Sequence, residues 1–224
     1  MVLMPPAKLQ INKAHYPVTV LGPGKRIGIW VQGCSIRCKN CVSMDTWEPD
    51  AKRAMRIADI IAWCKKMAEQ GCDGITISGG EPFDQPQGLR ALLAELHAWR
   101  RQGRADFDIL CYSGYPLRTL EAKHGALLKM LDAVIPEPYI ENAPPMAIWC
   151  GSANQRIVPL SERGKVAYSD FVDRPVAEYG KQMQVSVEGG RVWMIGIPGR
   201  GDMEKLETLC QSRGVSLSQV SWRR

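Results

Sequence analysis

An apolar run, Ile27-Gly28-Ile29-Trp30-Val31, leads directly into Gly33-Cys34-Ser35-Ile36-Arg37-Cys38-Lys39-Asn40-Cys41. A short run rich in β-branched residues and bounded by glycines reads as a buried strand. The three cysteines, spaced by three and then two residues, therefore fall in a loop at a strand end, close enough to grip one metal centre. Structural zinc sites take four ligands, usually as two separated pairs. Here there are three in a cluster, with no histidine beside them to complete the set. Three thiolates suit a cubane iron–sulfur cluster in which one iron has no protein ligand. An open coordination position is what chemistry at a metal requires. Zinc and disulfide pairing are the alternatives.

The rest of the chain alternates between two periods. Residues 1–14 read as a weakly structured lead-in, and Tyr16 to Val20 as a first strand that Pro17 confines to an edge. Ile57, Ile60, Ile61, Cys64 and Ala68 mark one face of an amphipathic helix that stops at Gly71. Gly74 to Ser78 is a strand running into Gly79-Gly80-Glu81-Pro82. Leu89, Leu92, Leu93 and Leu96 mark a second helix, and Phe107 to Tyr112 a strand ending at Ser113-Gly114-Tyr115. A weaker helix covers Leu117 to Leu131, with Gly125 inside it costing about 1 kcal/mol relative to alanine. Asp132 to Ile135 reads as another strand.

Such alternation implies right-handed crossovers and a parallel sheet with helices outside, an α/β fold. The cysteine loop and the double-glycine loop both follow strand C-termini, the rim on which α/β barrels build their sites. Past residue 165 the texture changes. Met183 to Val187 and Arg191 to Ile195 flank Gly189-Gly190 as a β-hairpin, and a final helix carries Met203, Leu206, Leu209 and Cys210 between an Asp202 N-cap and Gly214.

Composition excludes several classes. With 45% hydrophobic and 23% charged residues over 224 positions, the chain is an ordinary soluble protein with a substantial core. Eight cysteines in a chain this rich in core do not make a secreted disulfide scaffold. Cys64, Cys72, Cys111, Cys150 and Cys210 read as small buried core residues. Met1-Val2-Leu3-Met4-Pro5-Pro6 lacks the apolar core of a signal peptide, and no stretch reaches the roughly 18 apolar residues of a membrane span. A cytoplasmic protein is expected. The net charge of +6 suits a solvated surface or an acidic protein partner, and no basic run with interleaved aromatics supports nucleic-acid binding.

Cys34-x3-Cys38-x2-Cys41 resembles the signature of the radical S-adenosylmethionine superfamily. Leu21-Gly22-Pro23-Gly24-Lys25-Arg26, Val31-Gln32-Gly33-Cys34 and Asp45-Thr46-Trp47 are similar to the activating enzymes of glycyl radical enzymes, of the anaerobic ribonucleotide reductase activating type. The resemblance covers roughly residues 15–165, the expected core domain, and leaves 166–224 as an extension packed on it. It implies a partial open (β/α) barrel with a C-terminal hairpin and helix. It also implies a [4Fe–4S] cluster on Cys34, Cys38 and Cys41, and S-adenosylmethionine at Gly79, Gly80, Glu81 and Pro82, where the family receives the methionine amino group. Ser113 is expected at the carboxylate or ribose, or as a capping serine. Asn40 stands where superfamily members meet the adenine, and it departs from the residues usual there.

Gly151-Ser152-Ala153-Asn154-Gln155-Arg156 resembles a segment of the same activators, which either meets a partner or caps a tight turn. His15, His97 and His124 show no triad or ligand spacing, and no side chain is assigned a catalytic role. The implied activity is reductive cleavage of S-adenosylmethionine to a 5′-deoxyadenosyl radical. Its implied end is a glycyl radical on a partner such as anaerobic ribonucleotide reductase, with a flavodoxin- or ferredoxin-type electron donor. The alternatives are a stand-alone radical enzyme acting on a small molecule or peptide, and a non-catalytic iron–sulfur protein.

Overall fold

The computed structural model describes residues 7–103, 105–178, 183–188 and 191–223. The chain runs through β1 (Lys8–Val18), β2 (Arg26–Val31), β3 (Ala54–Arg56), α1 (Ile57–Ala68), β4 (Gly74–Gly79), α2 (Pro86–Arg101) and β5 (Asp108–Tyr112). It continues through α3 (Leu117–Leu128), β6 (Ala133–Ile135), β7 (Val158–Pro159), α4 (Glu162–Tyr168), β8 (Met183–Glu188), β9 (Arg191–Gly196) and α5 (Asp202–Ser212).

One mixed sheet has the order β3-β1-β2-β4-β5-β6-β7. Its centre, β2-β4-β5-β6, is parallel, and β1, β3 and β7 pair antiparallel to their neighbours. Central parallel strands lie covered on both faces, so they read as continuous apolar runs, and every residue of β2 is buried. The stripes Ile57, Ile60, Ile61, Cys64 on α1 and Leu89, Leu92, Leu93, Leu96, Trp99 on α2 close the main core against Ile27, Ile29, Ile75 and Ile77. In α3 the backbone leaves helical geometry at His124, beside the Gly125 that weakens it. Among the described residues no helix is long and apolar enough to cross a membrane.

Three expectations are corrected. The lead-in is not unstructured from residue 8 onward, because Lys8 to His15 belong to β1, while residues 1–6 lie outside the described residues. The polar Asn12 and Lys13 mask a strand held by pairing on both sides rather than by an apolar pattern. Beside Pro17 the strand is an edge as expected, since β3 flanks only Lys8 to Gln10, and the pairing with β2 slips between His15 and Val18. Asp202 is the first helical residue of α5, not its cap. Gly201 holds that place at φ +77°, and the Asp202 carboxylate accepts the Gly199 N–H at 2.8 Å. Cys210 is half-exposed and outside the apolar clusters, Cys72 is half-buried and packs against the main core, and all eight cysteines are free thiols. The β8–β9 hairpin is present, and its Gly189-Gly190 turn lies outside the described residues.

At the N-terminal ends of the central strands a buried polar cluster sets their alignment. Arg26 is fully buried and donates through Nη1 and Nη2 to both Asp108 oxygens at 2.7 Å, and through Nε to Thr76 at 2.7 Å. Tyr168 of α4 donates its hydroxyl to Asp108 at 2.5 Å. Space for the guanidinium comes from two glycines. A Cβ on Gly74 would lie 2.0 Å from Arg26, and one on Gly22 2.7 Å from it. One residue from each of β2, β4, β5 and α4 thus meets at one end of the sheet, which fixes where the opposite ends fall.

Candidate functional site

Those opposite ends open on a cavity of about 910 Å³. Its wall includes Cys34, Cys38, Asn40 and Cys41 from the loop after β2, Gly79, Gly80 and Glu81 after β4, and Ser113 after β5. Pro82 is the expected residue that does not line it. It is buried and opens the short 3-10 turn Pro82–Asp84.

The first two loops are joined through backbone. The Gly33 N–H donates to Thr46 O at 2.7 Å and Cys34 N–H to Trp47 O at 2.9 Å, closing the cysteine loop at its base. Gly80 N–H donates to Val31 O at 2.9 Å and Glu81 N–H to Gly33 O at 2.8 Å, carrying the β2–β4 pairing into the loops. A Cβ on Gly80 would lie 2.1 Å from Gly33 O, and Gly79 holds φ +100°. Both positions therefore require glycine.

Side chains add the third loop. Glu81 is buried and accepts from Phe83 N–H (3.0 Å), Ser113 Oγ (2.9 Å) and Gly114 N–H (2.7 Å). Asp84 accepts from Ser35 N–H (2.7 Å), Ser35 Oγ (3.0 Å) and Tyr115 Oη (2.7 Å). Asn40 holds φ +56°, and its amide donates to Glu141, which also pairs with Lys39 at 3.3 Å.

Burial pushes the Glu81 carboxyl up to about 7 against the pull of its three donors. The folded protein therefore keeps this proton after an unfolded chain, titrating near 4.5, has lost its own. The contribution to stability is full below about pH 4.5 and is lost as the pH rises toward 7. Glu81→Gln is expected to flatten that part of the profile. Urea unfolding of both proteins at several pH values checks it, and equal slopes would contradict the assignment.

Burial also raises the thiols of Cys34, Cys38 and Cys41. Backbone N–H groups oppose it at each sulfur, with Ser43 N–H 3.4 Å from Cys41 Sγ, and the Trp47 indole pulls the same way at Cys41. Donors of this kind surround thiolate ligands and tune the metal they hold. Among the described residues no three His, Cys, Asp or Glu side chains are gathered tightly enough for a single ion. Three thiols on one loop, each met by backbone N–H groups, are the kind of donor set that a four-iron cluster with one iron free of protein ligands takes.

Other wall residues left no signal in the sequence. Glu137 and Tyr139, on the loop after β6, reach the cavity because the Gly151–Arg156 segment braces that loop. Gln155 Nε2 donates to Glu137 O at 2.7 Å, Asn154 Nδ2 to Pro138 O at 2.8 Å, and Ser152 Oγ accepts from Ile140 N–H at 3.1 Å. Within the segment, Gly151 N–H donates to Gln155 Oε1 at 2.8 Å, and Gly151 and Gln155 themselves line the cavity. Residues 191–198 and 215–222 also line the cavity.

A family model described as a 4Fe-4S single cluster domain matches residues 20–158. The anaerobic ribonucleoside-triphosphate reductase-activating protein of Vibrio cholerae is 33% identical over 147 residues, covering 64% of this chain and 94% of that protein. This chain belongs to that family of 4Fe-4S activating proteins. The Haemophilus influenzae member is 32% identical over 152 residues (64% of this chain, 94% of that one), and that of Enterobacteria phage T4 29% over 138 residues (62% and 86%). Among solved structures, QueE from Escherichia coli aligns over 48% of this chain and 53% of its own at 21% identity, with a TM-score of 0.40. The 4Fe-4S family match spans β2 to β6, and so contains the cysteine loop, the double-glycine loop and Ser113. It ends at residue 158, before α4, the hairpin and α5.

Proposed function

We propose that the cavity holds a [4Fe–4S] cluster on Cys34, Cys38 and Cys41 beside S-adenosylmethionine, and that the protein activates a glycyl radical enzyme of the anaerobic ribonucleotide reductase kind. One observation carries this reading: the three-cysteine loop and the glycine loop are joined by backbone bonds on one cavity wall, within a chain matching activators over nearly their whole length. When bound, the two groups supply one-electron cleavage of the cofactor's sulfur–C5′ bond, giving methionine and a 5′-deoxyadenosyl radical that takes hydrogen from a glycine Cα.

The chain's own part is to position and to exclude water. Carbonyls at Gly79 and Gly80, with the Glu81 carboxyl behind them, suit an ammonium such as the cofactor's amino group. Pro82 shapes that turn without facing the ligand. Ser113, already on Glu81, holds the far side, and the left-handed Asn40 offers backbone to the adenine. The open sheet serves as the partial barrel, with 15–165 as the core unit and 166–224 packed against it through the β8–β9 hairpin. The basic balance of +6 suits an acidic flavodoxin- or ferredoxin-type donor, and a cytoplasmic setting would keep the thiols reduced.

Anaerobic reconstitution with iron and sulfide tests the assignment. The wild type is expected to take up a four-iron cluster and, once reduced, to turn S-adenosylmethionine into 5′-deoxyadenosine. Cys38→Ala is expected to lose the cluster and at least about a hundredfold in product. Equal product from both proteins would remove the three cysteines from the chemistry.

A further inference from the structure

Both parts of the C-terminal extension line the cavity, and they are held to the fold in different ways. The hairpin is packed as core. Gln184 Oε1 accepts from Thr19 N–H at 2.9 Å, Trp193 stacks 4.7 Å from His15, and Ile195 joins Val18, Val20, Leu21 and Trp30 in an apolar cluster. Beyond Ile197 no described residue belongs to any of the apolar clusters. Instead Met203 of α5 and residues 215–222 line the cavity.

The tail is anchored at α5. Val215 N–H donates to Cys210 O at 2.9 Å, Trp222 Nε1 donates to Glu207 at 2.7 Å, and Arg223 pairs with the same carboxylate. Between these anchors Ser221 reaches the cysteine loop. Its Oγ donates to Val42 O at 2.8 Å, and its carbonyl accepts the Asp45 N–H at 3.2 Å. Val42 directly follows Cys41. Asp45 begins the Asp45-Thr46-Trp47 limb, whose last two carbonyls close the loop base on Gly33 and Cys34. The tail therefore holds the return limb of the loop that presents all three thiols.

We infer that Met203 and residues 215–222 are a wall of the cofactor cavity and that Ser221 is a positioning residue for the cysteine loop. This rests on the reading of Cys34, Cys38 and Cys41 as cluster ligands. The family match ends at residue 158, so the wall is built from chain outside the matched region. Its effect is to slow opening of the loop, and with it loss of iron and entry of water. Two hydrogen bonds of ordinary net strength change such an opening equilibrium on the order of tenfold.

The experiment compares wild type, Ser221→Ala, Ser221→Thr and a chain ending at Gly214. In the metal-free proteins, hydrogen exchange at the amides of 42–47 is expected to rise about tenfold on truncation and a few-fold in Ser221→Ala. After reconstitution, transfer of iron to a chelator is expected to accelerate in the same order, and Ser221→Thr, which keeps the hydroxyl, to match wild type. Unchanged exchange and iron release in the truncated chain would overturn the inference. So would a Ser221→Ala protein that lowers the melting temperature yet leaves iron release as in wild type, the mark of a merely structural role. Failure of the wild type itself to take up iron would instead remove the ligand reading beneath it.

Discussion

Asp108→Ala is expected to destabilise the protein by about 3–5 kcal/mol, because it leaves the Arg26 charge buried without its partner. Total stability of a domain is about 5–15 kcal/mol, so most of the folded margin is at stake. Arg26 has side-chain exposure of 0% and Asp108 of 5%, so solvent does not screen the pair. Tyr168 would lose its acceptor at the same time, loosening α4 from the strand ends. Breaking a buried pair costs more than replacing it, so Arg26→Met combined with Asp108→Leu is expected to recover part of the loss. Urea unfolding measures both. A single variant as stable as wild type would mean that the cluster at this rim does not align the sheet.

Gly80→Ala is expected to act at the other rim and to separate the two cofactors. Its methyl would meet the Gly33 carbonyl, which is backbone and has no rotamer by which to move away. Relief requires breaking the Gly80–Val31 and Glu81–Gly33 hydrogen bonds, which parts the glycine loop from the cysteine loop. The cysteines themselves are untouched, so iron content after reconstitution is expected to stay near wild type. Affinity for S-adenosylmethionine is expected to fall on the order of a hundredfold, the worth of about two hydrogen bonds at the upper end of their range. Gly125→Ala is the control, since its methyl meets nothing within 4 Å. Equilibrium binding beside iron analysis decides it. Unchanged affinity in Gly80→Ala would separate the glycine loop from the cofactor site.

Much of this architecture was legible because its signals are local. Ile27 to Val31 and Gly74 to Ser78 declare buried strands in five residues each, and the α1 and α2 stripes repeat at the helical period. The motif loops fall next to those runs, so their shared rim followed from strand direction alone. What stayed hidden depends on pairing between distant segments. β1 has polar residues at its middle and exists through neighbours on both sides. α4 is a two-turn helix whose reason is Tyr168 meeting Asp108, sixty residues away. Asp84 sits three residues past Glu81, yet nothing local says that it ties Ser35 to Tyr115. The stretch 215–222 has no period at all, because a cavity wall needs the right placement rather than a repeating face. The Asp202 cap misled for the opposite reason: the residue type is right for a cap, but Gly201 supplies the left-handed entry and shifts the aspartate one place inward.

The central claim is that a hydrogen atom leaves a glycine Cα of the partner and ends on the cofactor's 5′ carbon. The direct measurement incubates the reconstituted, reduced protein and S-adenosylmethionine with an anaerobic ribonucleotide reductase whose glycines carry deuterium at Cα. Deuterium in the recovered 5′-deoxyadenosine, together with a glycyl radical signal on the reductase, is the predicted result. Unlabelled 5′-deoxyadenosine with no radical on the reductase would contradict the account and direct the chemistry to another hydrogen donor.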